Sequence, residues 1–467
     1  MELGVSGTLL LAVLISLILY FFTWRRNLKK KNLPPGPPPL PILGTLLHMS
    51  TKEMSQSLMK LSETYGPVFT IYLSSAPAVV LVGYDCVKEA LIDNGDMFSL
   101  RRFSLTTLRN FGMGKRSIEE RIQEEARYLA EEIKKNGGTP FDPTYLLTLA
   151  VSNVICSIMF GDRCEYEDTD ITTVLTCIYE TFLTASTIWG QIYDMFPGLM
   201  KFIPGKHQKI YKSLDRLHQF VNEKVIINQK TLDPNNPRDF VDAFLIKMEK
   251  EKVNPNSEFN MKNLLACTLQ IFFAGVETTS TTITYSLLIF LKYPDVLAKV
   301  HKEIDQVIGR IRSPSIEDRN HMPYTDAVMH ELQRFTDLLP MGVPRKTTKK
   351  VEFNGYTLPK DIDVFPLLTT VLKDPTCFKY PKEFNPENFL NEKGKFQKNA
   401  AFMPLAAGKR ICLGEALVRV ELFLFLITIL QNFDLKSPIP IEDLDINPNT
   451  SGLGNIPKPY KIAFIPR

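Results

Sequence analysis

The stretch Pro404–Glu421, PLAAGKRICLGEALVRVE, places one cysteine between two glycines immediately before a helical pattern. A thiolate at Cys412 would gain from the N-terminal end of that helix, which lowers a thiol pKa. Lys409 and Arg410 add positive charge. Gly408 and Gly414 let the backbone come close to something flat or bulky. No second cysteine or base stands at a fixed spacing, so acyl transfer is poorly served; His301 or His330 could supply a base only through the fold. An axial metal ligand needs no base. Cysteine thiolate on haem iron donates electron density and favours O–O cleavage.

Two further constellations carry chemistry. The run CTLQIFFAGVETTSTTITYSLLIFL, Cys267 to Leu291, is long enough to cross a domain, and Glu277 at its midpoint would be costly in lipid. It reads as a buried core helix. Gly275 lowers helix propensity by ~1 kcal/mol relative to alanine, and threonine hydroxyls compete for backbone carbonyls. AGVETT therefore predicts a local distortion that sets an acid and an alcohol beside a cavity, against the plainer reading of a packing glycine and a surface acid. In HELQRF, Glu331 and Arg334 sit three apart on one helical face, a spacing that by itself reads as a surface pair worth ~0.2–0.5 kcal/mol.

The elements that must position these residues form a single large body. The chain has 467 residues, 44% of them hydrophobic, enough for a sizeable core. Its net charge of +4 and the lack of a basic run with interleaved aromatics exclude nucleic-acid binding. The seven cysteines (Cys86, Cys156, Cys164, Cys177, Cys267, Cys377 and Cys412) are scattered, without zinc-site spacing, and fit free thiols in a reducing compartment. The six histidines form no metal-binding motif.

Leu3–Trp24 is uncharged and apolar over 22 residues, which spans a ~30 Å hydrocarbon layer as a helix. Arg25, Arg26, Lys29, Lys30 and Lys31 follow, and Glu2 precedes. This places the body on the cytoplasmic side. A cleaved signal peptide would need basic residues before the run and a small-residue cleavage site after it. LPPGPPPLPILG, Leu33–Gly44, reads as a semi-rigid proline spacer rather than a ligand for a proline-binding domain. The expected division is an anchor over 1–24, a basic, proline-rich hinge over 25–44 and one domain over 45–467. Within that domain, 68–73 and 78–82 read as strands and DCVKEALI as a helix. Helical periodicity then dominates from Arg101 to Leu291, broken at NGGTPFDP, DPNNPRD and NPNSEF. A helix over 296–308, a β-like stretch after Pro344 and a last helix from Glu415 to about Asn432 complete a mainly α fold with small β-sheets.

AGVETT, ELQR, FNPENF and LAAGKRICLG, in this order, resemble the cytochrome P-450 haem-thiolate monooxygenases, and the likeness runs over essentially the whole chain. The anchor and proline hinge look like the microsomal vertebrate type that oxidises drugs, steroids and fatty acids. The resemblance implies the P-450 fold and haem b, with Cys412 as axial ligand of the iron. Arg410, Arg345 and Arg101 would meet the haem propionates. Glu331 and Arg334 would form a buried network with FNPENF near Asn388, which replaces the surface reading of the pair. Thr278 with Glu277 would deliver protons to dioxygen at the iron. Ala274, Leu339, Val343 and Leu453 fall where the family lines its substrate pocket. Electrons would come from NADPH through the flavins of an NADPH-cytochrome reductase, with cytochrome b5 a further partner, at the endoplasmic reticulum membrane. The substrate would be a lipophilic xenobiotic, steroid or polyunsaturated fatty acid, hydroxylated or epoxidised. Basic residues near the cysteine loop would face an acidic reductase.

The sequence departs from the family at two places. Leu405 stands where phenylalanine is usual, seven residues before Cys412. More seriously, Met97 stands only four residues before Arg101, and the only tryptophans are Trp24 and Trp189. Relatives carry a longer segment here, including the tryptophan of W-x-x-x-R. The chain reads as having lost an internal segment in frame, one that roofs the substrate pocket. Weakened haem binding and poor coupling of oxygen to product are the expected consequences. Two alternatives stay open: a haem-thiolate isomerase needing no external electrons, which the Glu277–Thr278 pair argues against, and a shortened form that binds haem or reductase with little or no turnover.

Overall fold

The computed structural model describes residues 15, 33–50, 53–93, 107 and 116–467. The expected anchor, Arg101 and the junction before it lie outside the described residues. Among those residues no helix is long and apolar enough to cross a membrane.

Eleven principal helices run α1 Met54–Tyr65, α2 Tyr84–Lys88, α3 Arg116–Lys135, α4 Thr144–Met159, α5 Thr169–Ala185, α6 Gln208–Thr231, α7 Phe240–Lys250, α8 Met261–Lys292, α9 Pro294–Val307, α10 Pro323–Thr336 and α11 Glu415–Asn432. The three expected breaks fall between α3 and α4, α6 and α7, and α7 and α8. Their caps explain two of the starts. Asp239 accepts from the Asp242 N–H, and Asn260 from the Asn263 N–H. The strands are β1 Val68–Leu73, β2 Ala76–Leu81, β3 Arg345–Lys346, β4 Val351–Phe353, β5 Tyr356–Leu358, β6 Asp363–Pro366, β7 Phe433–Lys436, β8 Pro448–Ser451, β9 Asn455–Pro457 and β10 Ala463–Pro466. Four of them form one sheet in the order β1-β2-β6-β3, parallel only between β2 and β6, and the rest pair as two-stranded ribbons. The fold is mainly α with small sheets, as the periodicity predicts.

The proline-rich segment is partly docked on this body. Thr70 of β1 donates its hydroxyl to the Pro34 carbonyl at 2.8 Å and its N–H to the Pro35 carbonyl at 2.8 Å. A Cβ on Gly36 would lie 1.9 Å from the Thr70 oxygen, so only glycine fits that approach.

The main core gathers α3 to α11, with α8 through its middle. From Val276 to Leu291 every residue of α8 except Thr278 is buried; a half-apolar, half-hydroxyl sequence can do this because its hydroxyls bond the helix's own carbonyls. The helix is continuous from Met261 to Lys292, so the distortion expected at AGVETT is absent. Gly275 has a packing role instead. A Cβ there would come within 2.7 Å of Ile155 Cδ1 on α4.

Candidate functional site

The cysteine loop is held by its own backbone. Cys412 N–H donates to the Leu405 carbonyl at 2.9 Å, and Ile411 N–H to the Gly408 carbonyl at 3.1 Å. Gly408 has φ +66°, and a Cβ on it would lie 2.0 Å from the Leu91 carbonyl oxygen. Both the backbone conformation and the close approach demand glycine. Ala406 also takes a positive φ, 62°, and so carries strain. Cys412 is exposed, whereas Cys86, Cys156 and Cys164 are buried. A Cβ on Gly414 would meet no other residue's atoms within 4 Å except Cys412 Sγ, at 4.0 Å. The space beside the sulfur is therefore open to a flat group, and α11 begins three residues beyond it. A soft thiolate donor with such a space fits haem iron.

α11 packs on α8, where Thr279 Oγ1 donates to Glu421 Oε2 at 3.3 Å between two buried residues. Opposite the buried faces, Gln270, Ala274 and Thr278 follow one another at four-residue spacing as the open stripe of α8. Thr278 donates its hydroxyl to the Ala274 carbonyl at 2.7 Å, which leaves its oxygen able to accept. Glu277 is 1% exposed. Its Oε1 accepts from Thr281 Oγ1 at 3.0 Å, and its Oε2 has no hydrogen-bond partner. Burial pushes its carboxyl up to about 7. Glu421 is also buried with Oε1 unpartnered, and burial holds its carboxyl well above the usual range.

Glu331 and Arg334 are not on the surface: both side chains are 0% exposed. Arg334 Nε and Nη2 donate to the two Glu331 oxygens at 2.7 Å each. Its remaining donors reach the carbonyls of Leu372, Pro381 and Glu383 at 2.9, 2.8 and 2.7 Å. Asn388 and the Asn385 N–H complete the carboxylate's shell. The partners come from residues 372–388, out of reach of a local spacing argument.

The other expected residues are placed as follows. Arg345 lies on β3 and, with Val343, lines a cavity of about 600 Å³ also bounded by Ala90 and Leu91. Asn455 N–H donates to the Leu338 carbonyl, so the loop carrying Leu453 lies beside Leu338–Leu339. Arg410 belongs to the single turn Gly408–Arg410. Three residues escape the motif reading: Thr281, which donates to Glu277, Glu421, which accepts from Thr279, and Tyr179, raised in pKa by burial and by Glu277. The four-residue spacing of Glu277 and Thr281, and the lone charge in VELFLFL, are the signals that mark two of them.

Among the described residues no cluster of histidine, cysteine or acids could hold a metal ion. The sequence model of the family described as Cytochrome P450 matches residues 34–100 and 96–464. The chain is 51% identical to Cytochrome P450 2G1 of Oryctolagus cuniculus and 49% identical to Cytochrome P450 2G1 of Rattus norvegicus, each over 494 positions and 100% of both chains. It is 50% identical to Cytochrome P450 2A4 of Mus musculus over 491 positions, 99% of each chain. The 494 aligned positions exceed the 467 residues by 27 (494 − 467), which have no counterpart in this chain. The family match divides at 96–100, where the junction before Arg101 lies.

Proposed function

The chain belongs to the cytochrome P450 family of haem monooxygenases, and from that premise we propose that it oxidises lipophilic substrates at the endoplasmic reticulum membrane. The single observation that carries this reading is the pairing of Cys412, exposed at the head of α11, with the open Gln270–Ala274–Thr278 stripe on the helix against which α11 packs.

Haem b, with electrons from NADPH, supplies the redox chemistry that puts one atom of dioxygen into a C–H or C=C bond. The chain's residues do the rest. Cys412 would hold the iron by its sulfur, and Arg345, Arg410 and Arg101 would pair with the propionates. Thr278 offers its hydroxyl on the open face of α8, and Glu277, near neutrality in its titration, stores and releases a proton. Ala274, Leu339, Val343 and Leu453 present apolar surface to a xenobiotic, steroid or polyunsaturated fatty acid. Glu331 and Arg334 fix the segment that leads to the cysteine loop. Residues 1–24 anchor the chain, residues 25–44 connect it to the body, on which Pro34–Gly36 dock, and 45–467 face the cytoplasm. NADPH-cytochrome reductase delivers electrons, cytochrome b5 is a further partner, and the anchor meets membrane lipid.

The test is NADPH consumption by membranes carrying the chain and the reductase, with and without candidate substrates. Substrate-dependent consumption matched by oxygenated product supports the proposal. Consumption without product, or none, favours the second reading, a chain that binds haem or reductase with little turnover. The 27 missing positions are the observation behind that reading.

A further inference from the structure

Two of the free cysteines meet inside the body. Cys156 stands in the last turn of α4, where its carbonyl accepts from the Phe160 N–H at 2.8 Å. Cys164 follows in the loop to α5, and both residues are buried. Gly161, at φ +75°, turns the chain between them. The two sulfurs are hydrogen-bonded to each other, with the Cys156 thiol donating. Cys86 instead accepts from the Asn354 amide at 3.1 Å, and Cys377 lies 3.6 Å from the Thr376 hydroxyl.

The loop that carries Cys164 is pinned from three sides. Asn153 of α4 accepts from the Cys164 N–H at 2.9 Å and donates to its carbonyl at 3.0 Å. The same amide donates to Glu125 Oε1 of α3 at 3.0 Å, and Glu125 is itself buried. The Tyr166 hydroxyl donates to that oxygen at 2.8 Å, and Arg163 Nε to Oε2 at 3.4 Å. The residues flanking Cys164 are thus tied to one carboxylate of α3, which fixes the backbone from which the thiol projects. Phe160, between the two cysteines, packs on Phe272 of α8 with ring centres 6.1 Å apart.

The two thiols are unequal. The hydrogen bond from Cys156, helped by the Lys224 ammonium of α6, holds Cys164 below the ordinary thiol value, against burial and the Asp168 and Asp162 carboxylates. The same hydrogen bond, with burial, holds Cys156 well above that value. The thiolate is the form that attacks an oxidant.

We propose that Cys156 and Cys164 form a reversible intrachain disulfide on exposure to hydrogen peroxide, with Cys164 the attacking sulfur and Cys156 the resolving thiol. The Cys164 thiolate attacks one peroxide oxygen and the O–O bond breaks. The leaving hydroxide takes up the proton that Cys164 had released and departs as water, and Cys164 becomes a sulfenic acid. Cys156 sulfur then attacks Cys164 sulfur. The S–O bond breaks, and the second water carries off the Cys156 proton. Two electrons pass from the sulfur pair to the peroxide. A thiol returns them, as suits a transient disulfide in a reducing compartment. The step uses no bound haem, so it stands apart from the monooxygenase reading.

The experiment exposes the full chain in membranes to graded hydrogen peroxide, blocks the remaining thiols with iodoacetamide and digests with trypsin. Trypsin cuts after Arg163, between the two cysteines, so the bond appears as two joined peptides that dithiothreitol separates. Fragmentation distinguishes Cys164 from Cys177, which shares its peptide. The joined pair should form several-fold faster than Cys267 loses its thiol. Cys164→Ser should abolish the pair and leave Cys156 a free thiol. Cys156→Ser should leave Cys164 as a sulfenic acid that dimedone captures. Lys224→Gln should slow the pair several-fold. Absence of the pair at peroxide doses that consume Cys267 would overturn the proposal, and that reading is taken on the unmodified chain. Sulfenic acid captured on Cys156 in Cys164→Ser, or an unmodified rate in Lys224→Gln, would overturn the assignment of Cys164 as the attacking sulfur.

Discussion

Two glutamates buried to nearly the same degree serve opposite ends. Glu331 is saturated by the Arg334 guanidinium, the Asn385 N–H and the Asn388 amide, and Arg334 is in turn tied to the four carbonyls of Leu372, Tyr380, Pro381 and Glu383. Burial pushes its carboxyl up while the guanidinium and the donated N–H groups pull it back. Glu277 meets one threonine hydroxyl and leaves an oxygen bare. Only the Thr281 hydroxyl offsets burial there, and its carboxyl is pushed up to about 7. Partner count, not burial, separates a residue that locks the fold from one that can exchange a proton.

The comparison breaks most visibly at Arg334. Arg334→Ala leaves a carboxylate buried and unpaired, at a cost of about 3–5 kcal/mol. That is a large share of the ~5–15 kcal/mol stability of a typical domain. Folded chain should fall sharply in urea-unfolding measurements. Arg334→Lys should fail to restore it, because a single ammonium cannot replace a planar fork with donors in several directions. A lysine variant unfolding at the unmodified urea concentration would show that the network's geometry is dispensable.

Glu277→Gln sharpens the contrast through pH. The Glu277 carboxyl favours the folded state fully below its ordinary value of 4.5, and that contribution is lost as pH rises through about 7. Above that, the ionised form is buried at a cost on the order of 3 kcal/mol. The glutamine variant should match the unmodified chain at pH 4.5 and be the more stable by about that amount at pH 8, as unfolding midpoints at the two pH values will show. Gly275→Ala gives a smaller effect. Its Cβ meets Ile155 Cδ1 at 2.7 Å, and overpacking outweighs the gain in helix propensity by about 1 kcal/mol. Adding Ile155→Val, which removes that methyl, should reverse the loss in thermal unfolding. At the bottom of the scale stands Lys134, which has the same i,i+3 ion-pair spacing as Glu331–Arg334 but pairs with Glu131 on the surface at 2.8 Å. Lys134→Ala should leave the unfolding midpoint unchanged.

What the sequence made legible was local. Helix breaks at NGGTPFDP, DPNNPRD and NPNSEF follow from turn chemistry, and the start of α11 from a glycine and a change of period. The junction before Arg101 was visible because Met97 stands too near it for the family pattern, and the 27 unmatched positions agree. What depended on distant chain was not legible. The spacing of Glu331 and Arg334 is the same whether the pair is bare or buried; only residues 372–388 decide. Gly275 reads equally as a distortion or as a packing glycine until Ile155 is seen against it. The proline-rich segment reads as a spacer until Thr70 takes its carbonyls. At the candidate site the acid and the alcohol were legible as neighbours in sequence, but the second alcohol, Thr281, had only its four-residue spacing until its hydroxyl was seen on Glu277 Oε1.

The central claim is that this shortened chain holds haem through the Cys412 thiolate. The most direct measurement is the difference spectrum of the reduced, membrane-bound chain on adding carbon monoxide, with Cys412→Ser beside it. A strongly red-shifted Soret band, absent in the serine variant, is the predicted result. An unshifted band, or no haem band at all, would contradict the claim and show that the 27 absent positions outweigh the cysteine loop.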